Sequence, residues 1–427
     1  MIEVKTQKDI EGFRDIVRKR VLNLEAYEDV VKGIVSDVKK RGDEALFEYT
    51  RRFDGFDPEV EGIGVSPAEI DKLSDTIPKE HKRVIECAAD RIYRFHEAFK
   101  PKSAFIEEDG AILGVRITPI KRAGLYVPGG KAAYPSTALM TIIPAVVAGV
   151  DDIQIATPSI GGDVNPYVAF IAKMFGIRRV YKIGGAQAIA AFAYSTQTVD
   201  GVDVIAGPGN IYVATAKKIV FGDVGIDSIA GPSEIMVVAD GSSNTEYIAR
   251  DLLSQAEHDE LAACFFVGFE KGLTAEVEKR FKELADDNPR SNITTVSKSN
   301  AIFAYCESDD IAAELVDVVA PEHLELHLKD NYGFLNKIRN AGAVFIGEYS
   351  TEPIGDYVAG PNHTLPTGST ARFFSPLSCD TFMKKSSIIH FQKRGFDRVA
   401  SCASDFARIE GLYAHKNAID VRMDGNS

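Results

Sequence analysis

The stretch RRVYKIGGAQAIAAFAYSTQTVDGVDVIAGPGNIYVATAKKIVFG, residues 178–222, decides the fold class. Two short apolar runs, at 178–183 and 202–206, have the length and composition of buried β-strands. Each run is followed by a glycine-rich turn and then by an apolar stretch long enough for a helix. A strand, a turn and a helix repeated in this order predict an α/β fold whose mostly parallel sheet is covered by helices on both faces.

The same alternation extends in both directions along the chain. The further predicted strands are 124–127, 151–157, 233–239, 262–268 and 343–347, and the further predicted helices are 136–149, 165–176, 274–285 and 331–342. The first hundred residues look helical, with Ser66 as an N-cap, Pro67 in the first turn and Glu69 closing a capping box. After about residue 375 the alternation stops. Residues 406–422 are predicted to form one amphipathic helix, which is too small to bury a core alone and must dock on this chain or on a partner.

Composition and charge exclude several classes of protein. The net charge of −13 argues against nucleic-acid and anionic-membrane partners. The most apolar run, residues 138–150, is too short to cross a bilayer, and the first twenty residues do not resemble a signal peptide. The cysteines are scattered and form no CxxC motif: Cys87, Cys264, Cys306, Cys379 and Cys402. We therefore expect a reduced, cytoplasmic protein without nucleic-acid or membrane partners.

Glycine-rich polar turns follow four of the predicted strands, at 126–130, 183–187, 206–210 and 347–357. In open parallel sheets ligands gather at the carboxyl ends of the strands, so we expect the functional site there. No GxGxxG motif is present. Taken one at a time, these turns are more often plain turns than phosphate-binding loops.

Two short patterns suggest chemistry without settling it. In APEHLELH, His323 and His327 have the spacing of the zinc-protease motif HExxH, but Leu324 stands where that motif needs glutamate. The adjacent Glu322 and His323 could be two bases, although an acid-capped helix N-terminus is slightly favoured by the residues alone. In SQAEH, residues 254–258, the glutamine and histidine at i and i+3 share a predicted helical face and could bind one metal ion, but two ligands cannot hold it.

The longer motifs, taken together and in order, resemble histidinol dehydrogenase. The match runs from about Glu44 to Arg422 and rests on these segments: GLYVPGGKAAYPSTALMTIIPAVVAGV, KIGGAQAIAAFAY, VIAGPGNIYVATAK, IAGPSEIMVVAD, DLLSQAEHD, APEHLEL, GDYVAGPNHTLPTGSTARFFSPLS and EGLYAHKNAIDVR. The resemblance implies a zinc-dependent homodimer with one Zn²⁺ per subunit and an active site shared between the subunits.

The resemblance also implies a domain plan of two incomplete, doubly wound Rossmann-like domains with small helical arms. The expected divisions are an N-terminal arm, 1–23; a first domain, 24–125 with 236–375; a second, NAD-contacting domain, 126–235; and a C-terminal arm reaching the partner subunit, 376–427.

The implied reaction is the last step of histidine biosynthesis. L-Histidinol, two NAD⁺ and water would give L-histidine and two NADH through bound L-histidinaldehyde. The roles carried over by motif position are: catalytic bases Glu322 and His323; NAD contacts Tyr126, Gln187 and Asn210; zinc ligands Gln255, His258, Asp356 and a partner-derived His415; and substrate contacts Ser233, His323, Glu410 and the four zinc ligands.

Two alternatives stay open beside that function. Some wider relatives oxidise other small alcohols, including sulfonated diols, but Glu410, His415 and the stretch 130–136 match the histidinol pattern. A metabolite- or zinc-binding protein without turnover is the other alternative. The pair of Glu322 and His323 argues against it, because binding alone needs no bases.

Overall fold

The computed structural model describes residues 1–19, 24–129, 135–159, 162–229 and 231–423. Most of the predicted stretch 130–136 lies outside these residues. The chain forms two compact units, one made of Met1–Phe99 with Ile120–Phe382, and the other of Lys100–Pro119 with the residues from Met383 onward. The domain divisions expected above stay a prediction.

The elements are numbered in chain order. The strands are β1 Ile2–Glu3, β2 Ala104–Glu108, β3 Ala111–Pro119, β4 Arg122–Tyr126, β5 Asp152–Ala156, β6 Arg179–Tyr181, β7 Val204–Ala206, β8 Gly225–Ile226, β9 Glu234–Ala239, β10 Ala263–Gly268, β11 Ile302–Tyr305, β12 His323–His327, β13 Ala343–Ile346 and β14 Met383–Phe391. The helices are α1 Gln7–Arg18, α2 Glu25–Arg41, α3 Asp43–Phe53, α4 Pro58–Glu61, α5 Pro67–Asp75, α6 Lys79–Ala98, α7 Pro135–Ala148, α8 Pro166–Met174, α9 Gly185–Tyr194, α10 Ile211–Val220, α11 Thr245–Ala256, α12 Lys271–Asp286, α13 Ser291–Ser297, α14 Asp309–Val319, α15 Asn331–Leu335, α16 Glu352–Tyr357, α17 Lys393–Ile409 and α18 Tyr413–Met423.

The first unit contains a six-stranded sheet in the order β1-β11-β10-β9-β12-β13, and every neighbouring pair is parallel. Strands β9, β10, β11 and β12 are buried along their whole length. Near-continuous apolar runs suit strands covered on both faces, and two apolar clusters pack against the sheet.

The same unit contains a five-stranded parallel sheet in the order β6-β5-β4-β7-β8. Its cluster is rich in alanine from α9 and α10, which lets these helices lie close to the strands. The predicted α/β fold with parallel strands is therefore confirmed.

The second unit contains a three-stranded antiparallel sheet, β14-β3-β2, together with α17 and α18. The prediction of one helix over residues 406–422 is wrong, because α17 ends at Ile409 and α18 begins at Tyr413. Gly411 between them has φ +72°, a left-handed conformation that ends helices and that glycine adopts without strain. No residue of α18 is buried within the chain.

Two further local predictions concern the ends of helices. Ser66 accepts from the N–H of Glu69, whose carboxylate accepts from the N–H of Ser66, so the predicted capping box is confirmed. The predicted helix 331–342 is shorter than expected and ends at Leu335.

Among the described residues, no helix combines the length and apolar character needed to span a bilayer.

Candidate active site

The segment containing Glu322 and His323 is a strand, not a helix. Ala320, with φ +47°, ends α14, and β12 then pairs with β9 and β13. Both helical interpretations of APEHLELH are therefore wrong. Alternation along β12 directs Leu324 and Leu326 into an apolar cluster and leaves the two histidines on the other face.

His323 is held as a neutral acceptor. Its Nδ1 lies 3.1 Å from the backbone carbonyl of Glu234, which can only accept, so Nδ1 carries the proton. Its Nε2 is buried without a hydrogen-bond partner among the described residues and lies 3.8 Å from Oδ1 of Asp356. Burial lowers the pKa of His323 to about 3. The ring therefore presents an unprotonated nitrogen beside Asp356.

Glu322 lies directly beside that ring. Its Oε2 accepts from the N–H of Glu234 at 2.9 Å and lies 3.8 Å from Nδ1 of His323. The side chain is 6% exposed, and burial raises its pKa well above the usual value. A carboxylate with a raised pKa is a stronger base, so this position suits proton abstraction from water.

Gln255 and His258 do not share a helical face, because α11 ends at Ala256 and His258 lies in the following turn. That prediction is wrong in detail, yet the turn keeps the two close: the N–H of His258 donates to the carbonyl of Gln255 at 3.2 Å. Gln255 is 1% exposed, and neither atom of its amide has a hydrogen-bond partner among the described residues. Buried amides are normally paired, so this unpaired amide fits a side chain that contacts a ligand.

His258, Glu352 and Asp356 offer ligand atoms that lie within 4.8 Å of one another. Helix α16 carries both carboxylates one turn apart. Burial raises the pKa of Glu352 to about 8 and that of Asp356 to about 6. Buried carboxyl groups beside an imidazole and an unpaired amide oxygen form a donor set that fits a divalent cation such as zinc. The sequence analysis missed Glu352, although its i, i+4 spacing from Asp356 was a usable signal.

The residues of this group lie at the amino ends of the six-stranded sheet. Ser233, half-buried, directly precedes β9, and its carbonyl accepts from the N–H of Ala263 at the start of β10. His258 precedes β10, and Glu322 precedes β12. Helix α16 follows β13 and runs back along β12, which brings Asp356 level with His323. The expectation of a carboxyl-end site is therefore wrong for this sheet.

Tyr126 and Gln187 meet at the carboxyl end of the five-stranded sheet. The hydroxyl of Tyr126 accepts from the N–H of Gly185 at 3.1 Å, at the start of α9. Asp54 accepts from the N–H of Gly184 at 3.3 Å and from Nε2 of Gln187 at 3.5 Å. Burial raises the pKa of Tyr126 to about 12 and that of Asp54 to about 6. Asp54 follows a helix far upstream, and nothing in its local sequence marks it.

Asn210 lies after β7, the neighbour of β4, and caps α10 by accepting from the N–H groups of Tyr212 and Val213 at 3.1 and 3.2 Å. Hydrogen bonds from both backbone groups of Gly207 hold the turn that precedes Asn210. The N–H of Gly207 donates to Asp227 at 2.8 Å, and the carbonyl of Gly207 accepts from Nζ of Lys217 at 3.0 Å. The starts of α9 and α10 thus lie at one edge, where backbone N–H groups suit a pyrophosphate.

The remaining predicted residues lie in the second unit. Glu410 and His415 are both exposed and line one cavity of about 530 Å³, whose walls come from α17 and α18. His363, for which no role was predicted, has a buried Nε2 without a hydrogen-bond partner among the described residues. It also contributes to lowering the pKa of His323, after burial.

Comparisons with known proteins cover nearly the whole chain. A family model described as histidinol dehydrogenase matches residues 17–423. A histidinol dehydrogenase of Geobacter metallireducens is 48% identical over 405 residues, covering 93% of this chain and 92% of that protein. One of Helicobacter hepaticus is 43% identical over 426 residues, covering 99% and 98%. The crystal structure of histidinol dehydrogenase from Elizabethkingia anophelis matches with a TM-score of 0.94 at 34% identity, covering 99% and 98% of the two chains.

Proposed function

The chain belongs to the histidinol dehydrogenase family, and from that premise we propose that it converts L-histidinol to L-histidine with two NAD⁺ at a zinc site shared by two copies. The chain is an oxidoreductase of histidine biosynthesis. The observation that carries the finer proposal is the buried, partnerless amide of Gln255 beside the cluster of His258, Glu352 and Asp356. We also place the enzyme in the cytoplasm, the compartment of amino-acid biosynthesis.

Gln255, His258 and Asp356 would hold one Zn²⁺ per subunit, together with His415 of a second copy. When bound, the ion would orient the imidazole and amino groups of histidinol and so fix the carbinol carbon for reaction. The contribution of this chain is the donor set itself. Its acids are buried, and burial raises the pKa values of Glu352 and Asp356, so a bound cation would favour their charged forms.

Proton handling falls to the two residues at the start of β12. In the first oxidation Nε2 of His323 would accept the proton of the carbinol hydroxyl, and NAD⁺, when bound, would supply the hydride acceptor. This assignment is supported by the tautomer, which leaves Nε2 free to accept. In the second oxidation Glu322 would remove a proton from the water that adds to the aldehyde, and a second NAD⁺ would again supply the hydride acceptor. Ser233, one residue from Glu234, would contact the substrate.

The dinucleotide would lie at the carboxyl end of the five-stranded sheet. Tyr126, Gln187 and Asn210 would contact it, and the first turns of α9 and α10 would face its pyrophosphate. The support is their common edge: Tyr126 binds the start of α9, and Asn210 caps α10 on the adjacent strand.

A second copy would complete the site. Helix α18 buries none of its residues within the chain, and Tyr413 and Ile409 are 66% and 77% exposed. Apolar side chains exposed on this scale are usual at interfaces between subunits. Glu410 and His415 lie on this exposed region, so a homodimer would bring them to the partner's substrate and zinc ion.

The primary test is NADH formation, followed by absorbance, when purified protein is mixed with NAD⁺ and histidinol. We expect two NADH per histidinol consumed, with dihydroxypropanesulfonate a poor substrate. A preference for the sulfonate would assign the chain to diol oxidation instead. If zinc-replete protein gives no rise in NADH absorbance, the chain would instead be a binding protein without turnover.

Metal dependence is tested separately. Prolonged treatment with a chelator should abolish turnover, and added Zn²⁺ should restore it. Full activity in protein verified as metal-free would contradict the orienting role.

The shared site predicts complementation between inactive variants. His415→Ala mixed with a Gln255→Ala/His258→Ala variant should regain activity after subunit exchange, because one hybrid site then has all its donors. Demonstrated exchange without recovery would place His415 in its own chain's site.

A further inference from the structure

Three buried polar residues beside the proposed zinc site have no role in the reaction described above. Glu325 and His327 follow His323 at alternate positions on β12 and share its face; they are 0% and 5% exposed. Asp251, 8% exposed, faces them from α11. We name Asp251, Glu325 and His327 the support cluster.

We infer that the support cluster is a positioning device that sets the two ligand-bearing helices, α11 and α16, at the spacing that zinc binding needs. This inference rests on the proposed function. It assigns no direct contact with zinc or substrate to the three residues.

The hydrogen bonds of the cluster run between the three elements. Oε1 of Glu325 accepts from the N–H of Glu352 at 2.8 Å, and Oε2 of Glu325 lies 3.3 Å from Nε2 of His327. Oδ1 of Asp251 accepts from the hydroxyl of Thr351 at 2.6 Å. A carboxylate oxygen of Asp251 also lies within 4.8 Å of one of Glu325. One connected network therefore joins β12, α11 and the start of α16.

Helix α16 needs this external support. It has six residues, and its N-cap, Thr351, makes no side-chain hydrogen bond to its own helix. Instead, the carboxylate of Glu325 on β12 accepts from the N–H of Glu352, the first residue of α16. This bond caps the helix and fixes its start to β12.

Asp251 on α11 and Glu352 on α16 are the two anchors at which the network holds these helices, and each anchor lies one helical turn from a proposed zinc ligand. On α11, Asp251 precedes Gln255 by four residues; on α16, the anchored Glu352 precedes Asp356 by four. Residues four apart lie on the same helical face, so a shift at either anchor moves the ligand above it. The cluster thus controls the separation of Gln255 and Asp356.

A role in stability alone explains the cluster poorly. Two buried carboxyl groups stabilise a fold less well than apolar side chains of the same size. Groups that orient metal ligands, in contrast, commonly change metal affinity about 10- to 100-fold when replaced. The three side chains also offer ligand atoms within 4.8 Å of one another, but Oδ1 of Asp251 and both carboxylate oxygens of Glu325 are already engaged by Thr351, Glu352 and His327. We therefore assign positioning rather than a second metal ion.

The test measures zinc affinity of the full-length chain by competition with a chromophoric chelator. Glu325→Gln should bind Zn²⁺ about 10- to 100-fold more weakly than the wild type. Thr351→Val removes a single hydroxyl from the network and should weaken binding about 3- to 10-fold, while disturbing folding least. The melting temperature of metal-free protein, measured in parallel, separates a loss of fold from a loss of affinity.

Asp317→Asn is the matched control. Asp317 also accepts from backbone N–H groups, those of Arg339 and Asn340 at 2.9 and 3.0 Å, but it lies on α14 and, among the described residues, these two bonds do not involve the proposed site. This variant should bind zinc like the wild type.

The possible results distinguish a failure of the positioning role from a failure of the proposed function. If the wild type binds zinc and both Glu325→Gln and Thr351→Val bind it equally well, the positioning role is overturned and the proposed function stands. If the wild type binds two equivalents and Glu325→Gln loses one, the cluster is itself a metal site and positioning is overturned. If the wild type binds no zinc, both proposals fail.

Discussion

In the five-stranded sheet, the residues proposed to contact NAD lie at the carboxyl ends of the strands, whereas in the six-stranded sheet the residues proposed for zinc and proton transfer lie at the amino ends. At the carboxyl edge of the five-stranded sheet helices begin, and α9 and α10 start beside Tyr126. At the amino edge of the six-stranded sheet helices end, and α11 and α14 finish beside His258 and Glu322. The start of a helix carries a partial positive charge and its end a partial negative charge. The two edges therefore suit ligands of opposite charge, a pyrophosphate at one and a metal cation at the other.

The two edges also differ in the groups they offer. The carboxyl-end site relies on backbone N–H groups held by glycine-rich turns. The amino-end site relies on buried side chains, several of which lack partners within the described residues. Variants at the amino edge should therefore change the chemical step, and variants at the carboxyl edge should change cofactor affinity and stability.

The largest expected effect is that of His323→Asn at the amino edge. The variant should lower kcat about 100- to 10,000-fold, because it removes the proton acceptor, while KM for histidinol and for NAD⁺ changes little. Steady-state kinetics with each substrate varied in turn measures this. A rate near that of the wild type would remove His323 from proton transfer.

The next effect is at the carboxyl edge, where Lys217 and Asp227 form a buried ion pair, 2% and 3% exposed, that fixes Gly207. Lys217→Met leaves the carboxylate buried without its cation and should lower the free energy of unfolding by about 3–5 kcal/mol. It should also raise KM for NAD⁺ while leaving zinc affinity unchanged.

Denaturant unfolding and zinc titration measure these effects. Lys218→Met is the control, since it makes the same change at the next, exposed position of α10. Equal losses of stability in the two variants would contradict the importance of the buried pair.

The smallest effect concerns Asp54, beside Gln187. Burial raises the pKa of Asp54 to about 6, above the unfolded value of about 3.9, so the folded state binds the proton more tightly. That contribution to stability is fully present below about pH 4 and is lost as the pH rises through about 6. Asp54→Asn should therefore stabilise the chain by about 1–2 kcal/mol at pH 7 and by almost nothing at pH 4.

Unfolding at the two pH values checks this sign. Asp57→Asn is the matched control, because the pKa of Asp57 is lowered, chiefly by its hydrogen bond from Arg51. It should not stabilise the chain at pH 7. A stabilisation by Asp54→Asn that is equal at both pH values would show that its charge is not the cause.

Part of the proposed site was accessible from the sequence because some of its signals are local. The glycine-rich turns after β4, β6 and β7 pointed to the carboxyl edge of a sheet, and the family resemblance supplied the roles proposed for Tyr126, Gln187 and Asn210. The alternation in HLELH, residues 323–327, was a correct strand signal that the spacing of the two histidines obscured. Glu352, Asp54 and Glu325 were missed, because a carboxylate on a helix or strand looks the same whether it is solvated or buried.

The sequence by itself determined many of the strands and helices around the two parallel sheets, such as β5, β9 and α8, because hydrophobic period, caps and turns act over a few neighbouring residues. Only the tertiary structure decided the strand order β1-β11-β10-β9-β12-β13, and with it the edge at which the metal donors gather. Pairing between strands depends on contacts among residues far apart in the chain, such as β9 with β12, which no local pattern encodes. The burial of Gln255, His323 and Glu352 arises from those same distant contacts.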